Sequence, residues 1–278
     1  MNEGLNTIKN IIWAIAIAVA LLALLVGLVF AISNRYYGER GELTLNVGGQ
    51  SFQGDAVKLD QPGGAQTAGS PLKELPGTQD AGLEYVFNLT FLCDGTIAGV
   101  NDYSASYGGT ASAQLWTDGG TGLPAASAAE TPILYPGTGT AMSAAEAAAD
   151  YQPRRLVIYL GGDGLASATE EGFVAGYTKL VQAIQAASPG TSAIICCSVA
   201  SVSASYAGPD GLTPDLVAQA NQWIKTVCIN TGAYYADLAS LLNGEDGYLM
   251  AEYAAADGRS VNSAGISRVM DYFRMHGV

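Results

Sequence analysis

The chain has 278 residues, 49% apolar and 13% charged, a composition that excludes global disorder and suits one large α/β domain or two small ones. Lys plus Arg is 12 against Asp plus Glu at 25, a formal charge of −13, which is the wrong sign for neutralising a phosphate backbone and excludes nucleic acid as a partner. One histidine, His276, and four cysteines, two of them adjacent (Cys196 and Cys197), leave no multi-histidine metal centre, zinc ribbon or disulfide scaffold.

A tail over residues 1–10 precedes IIWAIAIAVALLALLVGLVFAI at 11–32, 22 residues without charge or proline. That is the length of a bilayer-crossing helix, and one apolar on every side needs lipid or complete burial around it. The span is read as a transmembrane signal anchor. Its length exceeds a secretory h-region, which argues against cleavage, although Ala31 and Ser33 have the small size a signal peptidase accepts; cleavage there would release the rest as a secreted protein. Lys9 before the span and Arg35 and Arg40 after it leave orientation undecided by charge.

Residues 33–82 are rich in Gly, Gln, Ser, Thr and Pro and read as a stalk or irregular lead-in, with a short alternating piece at 43–47 that fits a strand. Residues 83–278 have a different texture. A β-type run at 85–92 (YVFNLTFL) ends in a tight turn at 93–96, and the Asn88–Leu89–Thr90 sequon falls within it, where burial makes glycosylation a coincidence of spelling. Residues 143–150 are alanine-rich and helical, ended by Pro153. Residues 156–160 (LVIYL) form a wholly apolar run suited to a strand covered on both faces.

Ser167 and Glu170 have capping-box spacing, followed by Phe173, Tyr177, Leu180, Val181 and Ile184 at helical intervals as far as Pro189. Residues 192–199 (SAIICCSV) make another buried strand, in which Cys196 and Cys197 point to opposite faces. Thr213 and Pro214 open a helix with an apolar face of Leu216, Ala220, Trp223, Ile224 and Val227. Residues 233–238 give a last strand, the 243–247 segment a turn without calcium-loop spacing, and Ile266, Val269, Met270 and Phe273 the inner stripe of a terminal helix. Strand and helix in alternation with such connections require a doubly wound parallel sheet with helices on both faces. Ligands of such sheets bind beyond the carboxyl ends of the strands, after Leu92, Leu160, Val199 and Leu238.

The loops at those strand ends resemble the SGNH, or GDSL-type, hydrolases. FLCDGTIAG at 91–99 is similar to the family's first block, a strand followed by Gly-Asp-Ser-x-Thr-x-Gly. PRRLVIYLGGDGL at 153–165 resembles the third block, and YAAADGRSVNSAGISRVMDYFRMH at 253–276 the last, whose usual form is Asp-Gly-x-His-Leu-Asn and a closing helix. The resemblance implies a flavodoxin-like three-layer α/β/α fold and relatives that de-esterify carbohydrates or lipids outside the cell, which in turn places this domain on the extracytoplasmic side.

The departures bear on chemistry. Under the resemblance Gly95 stands at the nucleophilic serine, Ser260 at the general-base histidine and Asp163 at the oxyanion-hole asparagine, while Asp257 keeps the identity of the orienting acid. Glycine has no atom to attack with, a hydroxyl does not hold a proton at neutral pH as imidazole does, and a carboxylate repels a developing oxyanion. Thr96 and Cys93 stand beside the lost nucleophile without an evident base; Cys93 reads as a small core residue and His276 as a terminal surface residue. The expectation is therefore a degenerate site at Asp94, Gly95, Thr96, Asp163, Asp257 and Ser260.

Asp94, Asp163, Asp257 and Tyr103 are the candidate ligand-binding residues. No cofactor is called for. Three carboxylates at neighbouring strand ends would raise one another's pKa or draw a hard cation such as Ca²⁺ or Mg²⁺, but the turn position of Asp94 suits amide capping, and no metal is assigned. Tyr107, Trp116 and Tyr206 could stack on sugar rings or simply cover core edges. The partners that follow are the membrane, through 11–32, and a cell-wall glycan or acylated polymer bound by an inactive relative. The competing reading is an active esterase with a rebuilt site that uses Thr96, Ser104 or Ser260 with Asp163 or Asp257 as base.

Overall fold

A computed structural model describes residues 46–47, 50–51, 71–97, 99–100, 103, 115–120, 122–136 and 138–278, in two units, residues 1–59 and 60–278. The transmembrane reading at 11–32 lies outside the described residues. Among the described residues no helix is long and apolar enough to cross a membrane. In the first unit β1 (Asn46–Val47) pairs antiparallel with β2 (Gln50–Ser51), so part of the 43–47 alternation does form strand.

The second unit is built on a six-stranded, wholly parallel sheet. Its members are β3 (Lys73–Glu74), β4 (Thr90–Cys93), β5 (Leu115–Trp116), β8 (Arg155–Tyr159), β9 (Ala193–Cys197) and β10 (Tyr234–Ala236), in the order β3-β10-β9-β8-β4-β5. β6 (Ile133–Leu134) and β7 (Ala141–Met142) form a separate antiparallel pair. The four residues of β4, the last four of β8 and all five of β9 are buried, the signature of strands covered on both faces.

On one side lie α2 (Ala144–Tyr151), α3 (Glu170–Ala187) and α4 (Pro214–Thr231), where Phe173 of α3 meets Trp223 of α4 with ring centroids 5.3 Å apart. On the other, Phe273 of α6 (Ser263–Arg274), which follows the short α5 (Ala239–Leu242), stands edge-on to Phe91 of β4 at 5.9 Å. Cys196 neighbours Cys228 and Tyr177 on the α3/α4 face, and Cys197 neighbours Cys93 and Tyr272. All four cysteines are buried and unbridged.

Three element assignments are corrected. The 85–92 run is not one strand: α1 (Gly82–Phe87) occupies its first half and β4 its second. Asp80 Oδ1 accepts from Gly82 N at 2.8 Å and Asn88 Nδ2 donates to Glu84 O at 2.8 Å. These end contacts, with Val86 buried, override the β preference of Tyr, Val and Phe. Asn88 of the sequon is accordingly exposed at the helix end, while Thr90 is buried.

Thr169, not Ser167, caps α3, accepting from Gly172 N at 3.2 Å, because the Ser167 hydroxyl already donates to Gly164 O within a 3₁₀ turn. On α4 it is Val217 rather than Leu216 that is buried beside Ala220, Trp223, Ile224, Val227 and Cys228. The lead-in also reaches into the domain. Lys73 and Glu74 supply the edge strand beside β10, with the Lys73 ammonium 3.8 Å from the centre of the Tyr234 ring.

Candidate active site

Because every strand of the sheet runs parallel, the loops after β4, β8 and β9 and the 257–260 loop ahead of α6 gather at one edge. Asp94, the first residue after β4, is fully buried. Its Oδ1 accepts from Thr96 N at 3.1 Å and Thr96 Oγ1 at 2.5 Å, and its Oδ2 from Gly162 N at 3.1 Å. One carboxylate thus folds its own turn and ties it to the loop after β8. Burial raises its pKa, with the Asp163 charge adding to that and the Thr96 hydroxyl and the two amides opposing.

Gly95 is exposed and opens a 3₁₀ turn over Gly95–Ile97. A Cβ built on it meets no atom within 4 Å, and it is absent from the glycines of positive φ. The site therefore has room for the side chain the family carries there. Val261 N donates to Thr96 O at 2.8 Å, which lays the 257–260 loop against this turn.

Asp257 is turned onto its own loop. Its Oδ1 accepts from Arg259 N at 2.9 Å and Ser260 N at 2.8 Å, and its Oδ2 from Ser260 Oγ at 2.6 Å. Although partial burial works the other way, these hydrogen bonds from Ser260 and Arg259 hold its pKa below the ordinary carboxylate value. Ser260 thus sits against the acid as an imidazole would. His276 is far from it, stacked on Tyr272 with ring centroids 3.9 Å apart. Between Ser260 and His276 lies the whole of α6, 12 residues or about 18 Å of helix.

Asp163 also has its partners within the protein. Its Oδ1 takes Arg259 Nη2 at 2.5 Å and its Oδ2 accepts from Leu123 N at 2.9 Å. Arg259 reaches onward to Asp210 Oδ2 at 3.4 Å, and Tyr206 donates its hydroxyl to Asp210 Oδ1. Burial works to lower the Arg259 pKa, but the Asp163 carboxylate, with Asp94 and Asp210, raises it. A Cβ on Gly162 would lie 3.3 Å from Arg259 Nη2 and 3.4 Å from Asp94 Oδ2, so guanidinium and carboxylate both pack close over the bare backbone of this loop.

Of the six positions expected to form the site, Asp94, Gly95 and Thr96 share one turn, Asp163 comes in from the β8 loop, and Asp257 and Ser260 share the facing loop. The three aspartates do not converge on a cation position: Asp163 is salt-bridged and Asp257 turned onto its own loop. Among the described residues no three His, Cys, Asp or Glu side chains are grouped to hold a metal. Tyr103 is half-buried against the core and near enough to Arg274, in the last turn of α6, for their charges to interact, which places it toward the opposite end of that helix from Ser260. Trp116 is buried edge-on to Tyr151 and offers no face to a sugar. Ser104 and Tyr107 lie outside the described residues. Sequence reasoning identifies neither Asp210 nor the pairing of Arg259 with Asp163, which joins loops distant in sequence.

The parallel sheet and the loops gathered at its carboxyl edge define a doubly wound α/β protein with its candidate site at the strand ends. Residues 96–265, more than half of the chain, match the GDSL-like lipase/acylhydrolase family, and the chain belongs to that family. Among solved structures it is similar to a GDSL-like lipase from Bacteroides thetaiotaomicron, at 12% identity and a TM-score of 0.50 over 70% of this chain and 89% of that one. It is also similar to a variant of an acetyl-xylooligosaccharide esterase from Geobacillus, at 16% identity and a TM-score of 0.41 over 73% and 97%. At 12% identity the likeness to the Bacteroides protein is one of fold. No curated protein matches the chain.

Proposed function

We propose that this protein is a membrane-anchored, extracytoplasmic member of its family that binds an envelope glycan or acylated polymer without hydrolysing it. The observation that carries the reading is the hydrogen bond from Ser260 to Asp257 at 2.6 Å: the acid that would orient a base holds a hydroxyl instead, and the neighbouring turn offers Gly95 where an attacking oxygen would project. Hydrolysis of an ester by this route needs both an attacking oxygen and a group that takes its proton near neutral pH. The anchor at 11–32 and the outward orientation come from the apolar span and from the extracellular habit that the resemblance implies.

The test uses the full chain in detergent with p-nitrophenyl acetate, beside a Gly95→Ser, Ser260→His double variant. The unmodified protein is expected to match a heat-treated control, the double variant to turn substrate over, and insoluble cell-wall material to retain the unmodified protein. Turnover by the unmodified chain above the control rejects the reading.

A second reading, an esterase with a rebuilt site, is favoured by one contact: the Thr96 hydroxyl donates at 2.5 Å to Asp94, whose proton affinity burial has raised. A hydroxyl beside a carboxylate of raised pKa has the components of a nucleophile and its base. Any turnover by the unmodified chain that disappears in Thr96→Val supports this second reading over the first.

A further inference from the structure

We propose that a second cleft, at the carboxyl ends of β9 and β10, binds a sugar unit that bears a free amine. The cleft, about 560 Å³ in volume, lies between the first turns of α4 and the turn at 243–247, and its size is that of a small-ligand site. It is separate from the Asp94 turn, and the proposal does not rest on the function assigned there.

The lining has a charge surplus of one sign. Asp215, Asp237, Glu245 and Asp246 contribute carboxylates against the single ammonium of Lys225. That ammonium is drawn to the Tyr235 ring, 5.3 Å from its centroid, which leaves the carboxylates underbalanced. Anionic polymers are repelled from such a cleft, whereas a primary ammonium supplies a positive charge and three donors to it.

Acidity alone would fit any cation, and the floor of the cleft narrows the choice. Ser201 is 2% exposed; its backbone N donates to Asn243 Oδ1 at 3.0 Å, but its hydroxyl has no hydrogen-bond partner among the described residues. A buried hydroxyl left without a partner is uncommon in folded proteins and calls for one. Ser201 and Asn243 both line the cleft, so a hydroxyl and an amide stand beside the carboxylates, the mixture that pairs with the alternating donors and acceptors of a sugar ring.

The experiment is a calorimetric titration of the full chain in detergent with the β-1,4-linked glucosamine disaccharide, its N,N′-diacetyl form, and putrescine. The expected result is binding of the disaccharide, with the diacetyl sugar and putrescine weaker by about tenfold or more, the equivalent of one charge-assisted hydrogen bond. An Asp215→Asn, Glu245→Gln variant, which changes two exposed side chains, is expected to lose affinity by a similar factor, and Ser201→Ala to lose affinity with its melting temperature maintained. Equal binding of the diacetyl sugar or of putrescine overturns the proposal, as does no binding at all or unchanged affinity in the double variant. Ester turnover by the Gly95→Ser, Ser260→His variant tests the reading at Asp94 through residues that do not line this cleft, so a failure here is told apart from a failure of that reading.

Discussion

Arg259 Nη2 lies 2.5 Å from Asp163 Oδ1, across 96 residues of sequence. The pair occupies the corner where relatives are expected to place an oxyanion-binding amide, and it neutralises a carboxylate that would otherwise stand beside the buried Asp94. Both side chains are largely covered, with 25% and 16% of their surface exposed, so the pair is less screened than a surface ion pair. Arg259→Ala is expected to destabilise the domain by about 1–3 kcal/mol, since removing one partner strands the other charge in a covered site. Adding Asp163→Asn to that variant should return a large part of the loss in chemical denaturation. Additive losses would show that the two residues do not act together.

Restoring chemistry is expected to take more than restoring two side chains. Gly95→Ser introduces no contact within 4 Å and no positive φ, so the variant should fold with stability equal to the parent or higher by about 0.5–1 kcal/mol, through a less flexible unfolded chain. In the Gly95→Ser, Ser260→His background, the position where the resemblance implies an amide donor still holds a carboxylate, which is paired with Arg259 and offers a developing oxyanion no hydrogen. Adding Asp163→Asn should therefore raise kcat by a further factor of about 100, the scale of one oxyanion donor. An unchanged kcat in the triple variant, with its fold confirmed by circular dichroism, would refute the oxyanion assignment for this position.

What the sequence made legible was whatever local patterning controls. The 156–160 run predicted β8, and the spacing of Ile266, Val269, Met270 and Phe273 predicted the buried stripe of α6, because burial on both faces of a strand or one face of a helix writes itself into the order of apolar residues. Lys73 and Glu74 carry no such pattern, being exposed on an edge strand whose hydrogen bonds come from β10. Tyr85 and Phe87 have the β preference of a strand, whereas the contacts that make α1 a helix come from Asp80, Asn88 and the packing of Val86. At the site, positions within one loop could be read directly, while the Asp163–Arg259–Asp210 chain joins three loops distant in sequence and no local signal announces it.

The close approach of α3 to the 3₁₀ turn Ala125–Ser127 gives a sharper packing test. A Cβ on Gly176 would fall 2.0 Å from Ala126 O and 2.4 Å from its carbonyl carbon, and both obstacles are backbone, which cannot swing aside. Despite the better helix propensity of alanine, Gly176→Ala is expected to destabilise by about 3 kcal/mol. Thermal unfolding measures it, and a melting temperature equal to the parent would mean that the turn does not lie this close to the helix.

The acid limb of stability tests the reading of Asp257. Hydrogen bonds from Ser260 and Arg259 hold its folded-state pKa below the ordinary value, so the unfolded chain takes up this proton first as the pH falls. Its stabilising contribution is complete above the unfolded pKa of about 3.9 and is lost as the pH drops through the lower folded value. Asp94 has the opposite sign: its raised pKa means that its contribution declines as the pH rises through that value. Comparing the parent with Asp257→Asn cancels Asp94 and isolates Asp257. The variant is expected to be less stable than the parent at pH 7 and to close that gap as the pH is taken below about 3.9. Because Asp257 is exposed, solvent screening keeps the gap small, within about 1 kcal/mol. A gap that stays constant through the acid range would show that the carboxylate's charge is not what those three hydrogen bonds stabilise.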